Sequence, residues 1–164
     1  MKQLIIVRHA KSVPYGYDDD FNRDLRDRGK NDAELVSTEL KKKGITPDAM
    51  ISSPAKRAIR TARIFAEHLG YPKNDIREVE EIYDGLTTFE FLDLVKELPD
   101  EVETALFFGH NPGFYYFVNN LLKHFKDDMP TTSTVGIEFD VDSWQKIEAR
   151  TGDKAFQITP KMLK

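Results

Sequence analysis

The hydrophobic positions of the chain form short, nearly continuous runs that alternate with stretches of helical periodicity. Apolar runs of this kind predict strands that are buried on both faces of a sheet. Such strands are predicted at residues 4–7, 49–51, 76–79 and 104–108, and alternating patterns predict two more near 135–141 and 155–158. The periodicity between them predicts helices over residues 31–43, 53–69, 87–98 and 114–124.

Strands that alternate with helices in this way predict an α/β fold, a three-layer α/β/α sandwich around a mostly parallel sheet. The last two strands are separated only by residues 142–153, so they are expected to pair antiparallel at one edge of the sheet. No repeat or linker divides the sequence. We therefore predict a single domain over residues 1–164.

Local signals set several helix boundaries. Ser53 as N-cap with Pro54 at the first helical position predicts the start of the second helix. Thr87 and Glu90 have the spacing of a capping box and predict the start of the third. Gly44 is expected to end the first helix, where a run of three lysines complements the helix dipole.

Composition narrows the chemistry. The 164 residues include no cysteine, which excludes disulfides, thiolate metal sites and cysteine nucleophiles. The formal net charge of −4 gives no reason to expect nucleic-acid binding. No apolar run has the length of a membrane span or of a signal-peptide core, so no membrane association and a cytoplasmic location are expected.

Two histidines directly follow the strands that look most central. His9 follows the strand at 4–7, and His110 follows the strand at 104–108. Ligands bind at the carboxyl ends of strands in such sheets, so these side chains are expected to converge. Arg8 beside a buried strand and Arg57 near the start of a helix would suit a phosphoryl group. The long polar loop at residues 11–28 is also expected to be functional.

This combination resembles the histidine phosphatase superfamily. An Arg-His motif after the first strand is present as Arg8-His9, followed by Ala10 where the family usually has Gly. The signature Ser-x-x-x-Arg-Ala-x-x-Thr-Ala runs from Ser53 to residue 62, and Gly-His-Asn-Pro spans residues 109–112. The segment around Arg23 is similar to that of the short, SixA-type phosphohistidine phosphatases, although Asp24 stands where those enzymes usually have Pro.

The resemblance implies a phosphoglycerate mutase-like fold and a metal-independent phosphatase without a cofactor. The neutral imidazole of His9 would accept the phosphoryl group as nucleophile. Arg8, Arg57 and Arg23 would hold the phosphoryl oxygens, and His110 would donate a further hydrogen bond. A backbone carbonyl is expected to accept a hydrogen bond from the second ring nitrogen of His9 and so fix the attacking tautomer.

Either Glu81 or Asp84, both in the segment after the third strand, is a candidate for the general acid. Longer relatives use a Glu in the corresponding loop, and an alkoxide leaving group needs such a proton. The imidazole of a phosphohistidine is a better leaving group than an alkoxide and depends less on a general acid. A weakly defined acid therefore favours protein phosphohistidine as the substrate.

Three alternatives stay open at this point. A small-molecule phosphomonoesterase or mutase would use the same chemistry, but mutases of this family are generally longer. A module that only binds phosphate or a phosphoprotein would not need a histidine nucleophile. A metallohydrolase is disfavoured, because no His-x-His or His-Glu-x-x-His spacing occurs.

Overall fold

The computed structural model of the chain describes residues 1–14, 16 and 19–164. The predicted loop at 11–28 therefore lies partly outside the described residues. Within them, six strands form one sheet: β1 (Lys2–Arg8), β2 (Ala49–Ser52), β3 (Arg77–Glu78), β4 (Thr104–Gly109), β5 (Thr134–Phe139) and β6 (Asp153–Ile158). The strand order is β3-β2-β4-β1-β5-β6.

The pairing of the strands confirms the predicted sheet. β1, β2, β3 and β4 are parallel to their neighbours among these four. β5 pairs antiparallel with both β1 and β6, so the antiparallel edge comprises the last two strands. β1 and β4 lie side by side in the middle, with Arg8 opposite Gly109. The residues that follow these two strands therefore emerge together at one edge of the sheet.

Helices cover both faces of the sheet. They are α1 (Asp27–Lys42), α2 (Lys56–Leu69), α3 (Glu80–Asp84), α4 (Thr88–Lys96) and α5 (Gly113–Leu121). Successive side chains of a strand point to opposite faces. Accordingly, Ile5 and Val7 belong to the apolar cluster under α1 and α2, whereas Leu4 and Ile6 belong to the cluster under α4 and α5. The three-layer α/β/α architecture is confirmed.

Several predicted helix boundaries need correction. α1 begins at Asp27 rather than residue 31, and its first turn includes Gly29, where a Cβ atom would lie 2.1 Å from the Lys11 carbonyl oxygen. The close approach of Lys11 requires glycine there. α5 ends at Leu121 instead of residue 124, and the capping box at the start of α4 is present as predicted.

The predicted start of α2 is wrong by two residues. Its N-cap is Ala55 and its first helical residue is Lys56. The hydroxyl of Ser53 does accept a hydrogen bond from a backbone N–H, that of Ala55, at 3.1 Å, but it does so in the turn before the helix. Ser53 is fully buried and takes part in the site described below.

None of the helices among the described residues combines the length and the apolar character that a membrane span requires.

Candidate active site

The fold brings His9 and His110 together at the carboxyl ends of β1 and β4. Their ring centroids are 5.3 Å apart. Both side chains line a cavity of about 370 Å³, together with Arg8, Arg23 and Arg57. These five residues are the ones that the sequence placed in a phosphate site with either catalytic or binding roles. The structure therefore unites them.

Three elements fix the backbone around His9. Its N–H donates to the Gly109 carbonyl at the end of β4, at 2.9 Å, and its carbonyl accepts from the Thr132 N–H at 3.0 Å. The next N–H, of Ala10, donates to the Thr61 hydroxyl on α2 at 3.0 Å. That hydroxyl in turn donates to the carbonyl of Arg57, at 2.7 Å. The buried hydroxyl of Thr61 thus connects the backbone next to His9 with the backbone of Arg57.

Thr132 has an unusual backbone conformation. Its φ is +64°, which β-branched residues rarely adopt, and its side chain is fully buried. Strained residues of this kind persist where the surrounding structure holds them, often at functional sites. Here the strained residue directly contacts the backbone of His9. No pattern in the sequence signals a positive φ at this position.

The ring of His9 has a defined tautomer. Its Nδ1 lies 2.8 Å from the Ala10 carbonyl, an acceptor only, so Nδ1 carries the proton. Its Nε2 has no hydrogen-bond partner among the described residues. Burial, reinforced by the nearby His110, Arg57 and Arg8, lowers the pKa of His9 to about 3, although the hydrogen bond to Ala10 acts in the opposite direction. At neutral pH the ring is uncharged, and Nε2 holds a free lone pair.

The cavity around His9 is strongly cationic. Its other lining residues are Lys11, Ser12, Pro14, Arg26, Asn111 and Thr131. None of the described residues that line it is acidic. Arg8 Nε, Arg57 Nε and His110 Nδ1 are buried and lack an acceptor in the part of the chain that the structure describes. Buried donors normally have acceptors, so this wall is suited to an anion with several oxygen atoms.

Asp20 binds two of the three arginines of the cavity, Arg23 and Arg57. Its Oδ1 accepts from Arg23 Nε and Nη2 at 3.1 and 2.9 Å, and its Oδ2 accepts from Arg57 Nη2 at 3.1 Å. The Tyr83 hydroxyl also donates to Oδ2, at 2.8 Å. Burial acts to raise the pKa of Asp20, but the hydrogen bonds from Tyr83 and Arg23 and the charge of Arg57 outweigh it and hold that pKa well below its usual range. Asp20 is therefore an ionised carboxylate that orients Arg23 and Arg57.

His110 is paired with Ser53. The His110 Nε2 and the Ser53 hydroxyl lie 2.7 Å apart. Burial, followed by the charge of Arg57, lowers the pKa of His110 to about 3, so this ring is also neutral at pH 7. The Ser53 hydroxyl accepts from Ala55 N–H and can donate its own hydrogen to Nε2. That arrangement would place the remaining ring proton on Nδ1, as a donor.

The structure does not bring Glu81 or Asp84 to the cavity. Both lie in the one-turn helix α3, and both are exposed. The residues of α3 that point inward are Ile82, which is buried, and Tyr83, whose ring lies 5.7 Å from that of His110. Because a single helical turn cannot direct all its side chains to one side, residues 81 and 84 face solvent.

Sequence reasoning missed three residues of this site. The sequence identifies Ser53 as a helix cap and as the first residue of the family signature, but not as a partner of His110. Asp20 falls in the polar loop, and Tyr83 falls between the two candidate acids. For Asp20 the sequence does contain a signal, because its spacing of three residues from Arg23 suits an ion pair. In the described ranges 1–14 and 19–164, no group of three or more His, Asp or Glu side chains is arranged to hold a metal ion.

Two neutral histidines, three arginines and an orienting carboxylate meet at the carboxyl end of the sheet, an arrangement suited to binding phosphoryl groups. Residues 4–113 match the family model of the histidine phosphatase superfamily, branch 1, and the chain belongs to that superfamily.

Two relatives agree with this assignment. The chain is 31% identical to the serine/threonine-protein phosphatase Pgam5 of Drosophila grimshawi over 84 residues, 51% of this chain and 29% of that protein. It is 43% identical to phosphoserine phosphatase 1 of Hydrogenobacter thermophilus over 70 residues, 41% of this chain and 32% of that protein. The matched part thus spans about a third of these relatives' length.

The fold is similar to that of the protein histidine phosphatase SixA, whose structure was solved in complex with tungstate. The TM-score is 0.85 at 22% sequence identity, and the match covers 99% of both chains. The resemblance to the short SixA-type branch is confirmed at the level of the fold.

Proposed function

We propose that this protein is a phosphatase that transfers a phosphoryl group to His9 and then to water, and that its substrate is protein phosphohistidine. The observation that carries the proposal is the state of His9. Its proton is held on Nδ1 by the Ala10 carbonyl, and its pKa of about 3 leaves Nε2 unprotonated beside Arg8 and Arg57. A neutral imidazole in a cationic cavity is a nucleophile prepared for a phosphoryl group.

The reaction has two steps. In the first, the lone pair of His9 Nε2 forms a bond to phosphorus while the bond from phosphorus to the leaving group breaks. In the second, a water oxygen forms a bond to phosphorus, the P–N bond breaks with its electron pair returning to His9 Nε2, and phosphate leaves while the proton lost by the water passes to solvent. Arg8, Arg57 and Arg23 would stabilise the charge on the equatorial oxygens, with His110 Nδ1 as a further donor.

The leaving-group side of the site supports phosphohistidine over an ordinary ester. Glu81 and Asp84 lie outside the cavity lining, and Asp20 is ionised and occupied by Arg23, Arg57 and Tyr83. An alkoxide leaving group needs a positioned acid, whereas an imidazole leaves more easily. A cavity without an acid among its described lining residues is therefore better matched to a phosphorylated imidazole.

The surface around the cavity supports a substrate carried on a protein. A wide groove of about 670 Å³ adjoins the cavity, and Arg8 and Asn111 line both. Tyr115, Tyr116 and Met129 form part of this groove, and Tyr116 is 54% exposed. A polypeptide that presents a phosphohistidine to His9 would have room to lie along it.

A second candidate, a small-molecule phosphomonoesterase, is favoured by one observation. The curated relatives include a phosphoserine phosphatase, and a cavity of 370 Å³ lies within the range of small-ligand sites. The two candidates share the His9 step and differ in the leaving group.

One assay separates them. Purified protein is given a panel of phosphohistidine proteins and of small phosphate esters, with His9→Ala as the control. We expect efficient turnover of phosphohistidine, slower turnover of esters, and a loss of about 10³-fold or more in the His9→Ala variant. Efficient ester turnover with none on phosphohistidine would reverse the order of the candidates. Unchanged activity of His9→Ala would overturn the proposed mechanism.

A further inference from the structure

Two cations of the cavity, Lys11 and Arg26, have no role in the mechanism above. Both line the same 370 Å³ space as His9. Neither side chain forms a hydrogen bond or ion pair with any residue in the ranges 1–14 and 19–164. Two carboxylates of the adjoining segment are bound by other arginines, since Asp20 pairs with Arg23 and Arg57 while Asp24 pairs with Arg60 at 2.6 Å.

The fold holds these two residues opposite each other. The Arg26 N–H donates to the Lys11 carbonyl at 2.9 Å, and Ser12 and Leu25 form an antiparallel bridge next to them. On the other side, the backbone of Lys11 is packed so closely on Gly29 that a Cβ atom there would lie 2.1 Å from the Lys11 carbonyl oxygen. The backbone therefore fixes the spacing of Lys11 and Arg26, and from these positions the half-buried Lys11 and the exposed Arg26 both line the cavity.

The position of Arg26 is unfavourable for helix stability. It is the N-cap of α1, and its side chain makes no capping hydrogen bond. A cation at the positive end of a helix dipole destabilises the helix, and Ser, Thr, Asp or Asn would cap it better. A positive charge at this place is suited to binding an anion.

We infer that Lys11 and Arg26 form a second anion subsite, which binds a negatively charged group of the substrate next to its phosphoryl group. This inference rests on the proposed function of the cavity and narrows its substrate class. The arginines and histidines around His9 would take the phosphoryl oxygens, and Lys11 and Arg26 would take a neighbouring carboxylate or phosphate. In a protein substrate that group would be an acidic side chain flanking the phosphohistidine. In a small molecule it would be a carboxylate on the same carbon skeleton.

A binding experiment tests the subsite without any turnover. Phosphonoacetate carries a carboxylate beside its phosphonate, and methylphosphonate lacks it. We expect calorimetric titration to give about tenfold tighter binding of phosphonoacetate to the unmodified protein, because a charge-assisted pair in a partly enclosed site contributes on the order of one factor of ten. In the double variant Lys11→Met/Arg26→Gln the ratio of the two affinities should fall to near one.

The matched control removes the same two charges elsewhere. Lys41→Met/Arg63→Gln alters exposed residues outside the cavity lining and should keep the tenfold ratio. A ratio near one in the unmodified protein, or a ratio that survives in the Lys11→Met/Arg26→Gln variant, would overturn the inference. Because the readout is binding, this outcome is independent of whether His9 is phosphorylated.

Matched substrates identify the source of the anion. Phosphohistidine peptides with Glu or Gln on both sides of the phosphorylated residue form one pair, and phosphoserine with phosphoethanolamine forms the other. We expect the larger preference for the acidic member in the peptide pair, seen mainly in KM and lost in the Lys11→Met/Arg26→Gln variant. A preference confined to phosphoserine would assign the subsite to small molecules, and no preference in either pair would contradict the inference.

Discussion

The segment after β1 and the short helix α3 both contribute side chains next to His110, but the fold treats them very differently. His9 is buried, its backbone is hydrogen-bonded to β4 and to the Thr132 turn, and its tautomer is fixed. The N–H of the next residue, Ala10, is hydrogen-bonded to α2. In α3, only Ile82 and Tyr83 face inward, and Glu81 and Asp84 are exposed. The fold thus holds His9, the proposed phosphoryl acceptor, rigidly, and among the described residues the cavity lining includes no carboxylate that could serve the leaving group. This difference is the basis for our proposal of a substrate whose leaving group needs little protonation.

Among the substitutions around His9, the largest effect is expected from removing the guanidinium of Arg57. Arg57→Ala should lower kcat by about 10²–10³-fold, because a buried donor aimed at developing charge is lost. Steady-state kinetics with a phosphohistidine protein measures this, and circular dichroism verifies the fold. The matched control is Arg63→Ala, an exposed residue on the same helix, which should stay within about twofold. A decrease in kcat of less than about fivefold for Arg57→Ala would show that the cavity around His9 is not the phosphate site.

The protonation of His9 should differ strongly from that of an ordinary histidine. A group with a pKa of about 6.5 would be about 99% protonated at about pH 4.5. The pKa of His9 is lowered to about 3, so the ring should still be mainly neutral at that pH. A nitrogen-15 NMR titration of the free protein should therefore keep the His9 signals at their neutral Nδ1–H positions. Titration of His9 near pH 6.5 would contradict the account of its burial.

A smaller effect is expected from Ser53→Ala. The change removes the hydroxyl 2.7 Å from His110 Nε2 and frees the ring to change tautomer. We expect about a tenfold loss of kcat, equivalent to one hydrogen bond of about 1.4 kcal/mol. The His110 ring nitrogens should also shift in NMR spectra, a change that a merely structural role of Ser53 would not require. Ser143→Ala, which removes a capping hydroxyl far from the cavity, serves as the control.

The smallest effect is expected on the exposed side. Glu81→Gln and Asp84→Asn should each change turnover of phosphohistidine by less than about twofold, because neither side chain lines the cavity. Small esters assayed in parallel sharpen the test. A selective loss of more than about tenfold on esters in one variant would identify that residue as a general acid, through a movement of α3.

The central part of the site was accessible from the sequence because it depends on topology. Apolar runs identified β1 and β4 as central strands, and the residues after them had to emerge at the same edge. The resemblance carried by the order and spacing of the motifs around Arg57 then implied the phosphate ligands proposed above. Helix α4 and the antiparallel edge were likewise specified by local patterns, the capping box and the short connection.

What the sequence could not predict depends on contacts between distant segments. Ser53 and Pro54 match a helix start locally, but the hydroxyl is used by His110, 57 residues away. Asp20 meets Arg57 and Tyr83 across 37 and 63 residues, and no periodicity encodes such pairs. The predicted start of α1 is wrong for the same reason, since the need for glycine at position 29 comes from the approach of Lys11, a contact between distant segments.

The most direct test of the central claim is to trap the phosphorylated protein. Rapid quenching at alkaline pH during turnover of a labelled phosphohistidine protein, followed by peptide mapping, should place acid-labile phosphate on His9 and none in the His9→Ala variant. Hydrolysis of the substrate without any phosphoenzyme, or with the phosphate on another residue, would contradict phosphoryl transfer through His9.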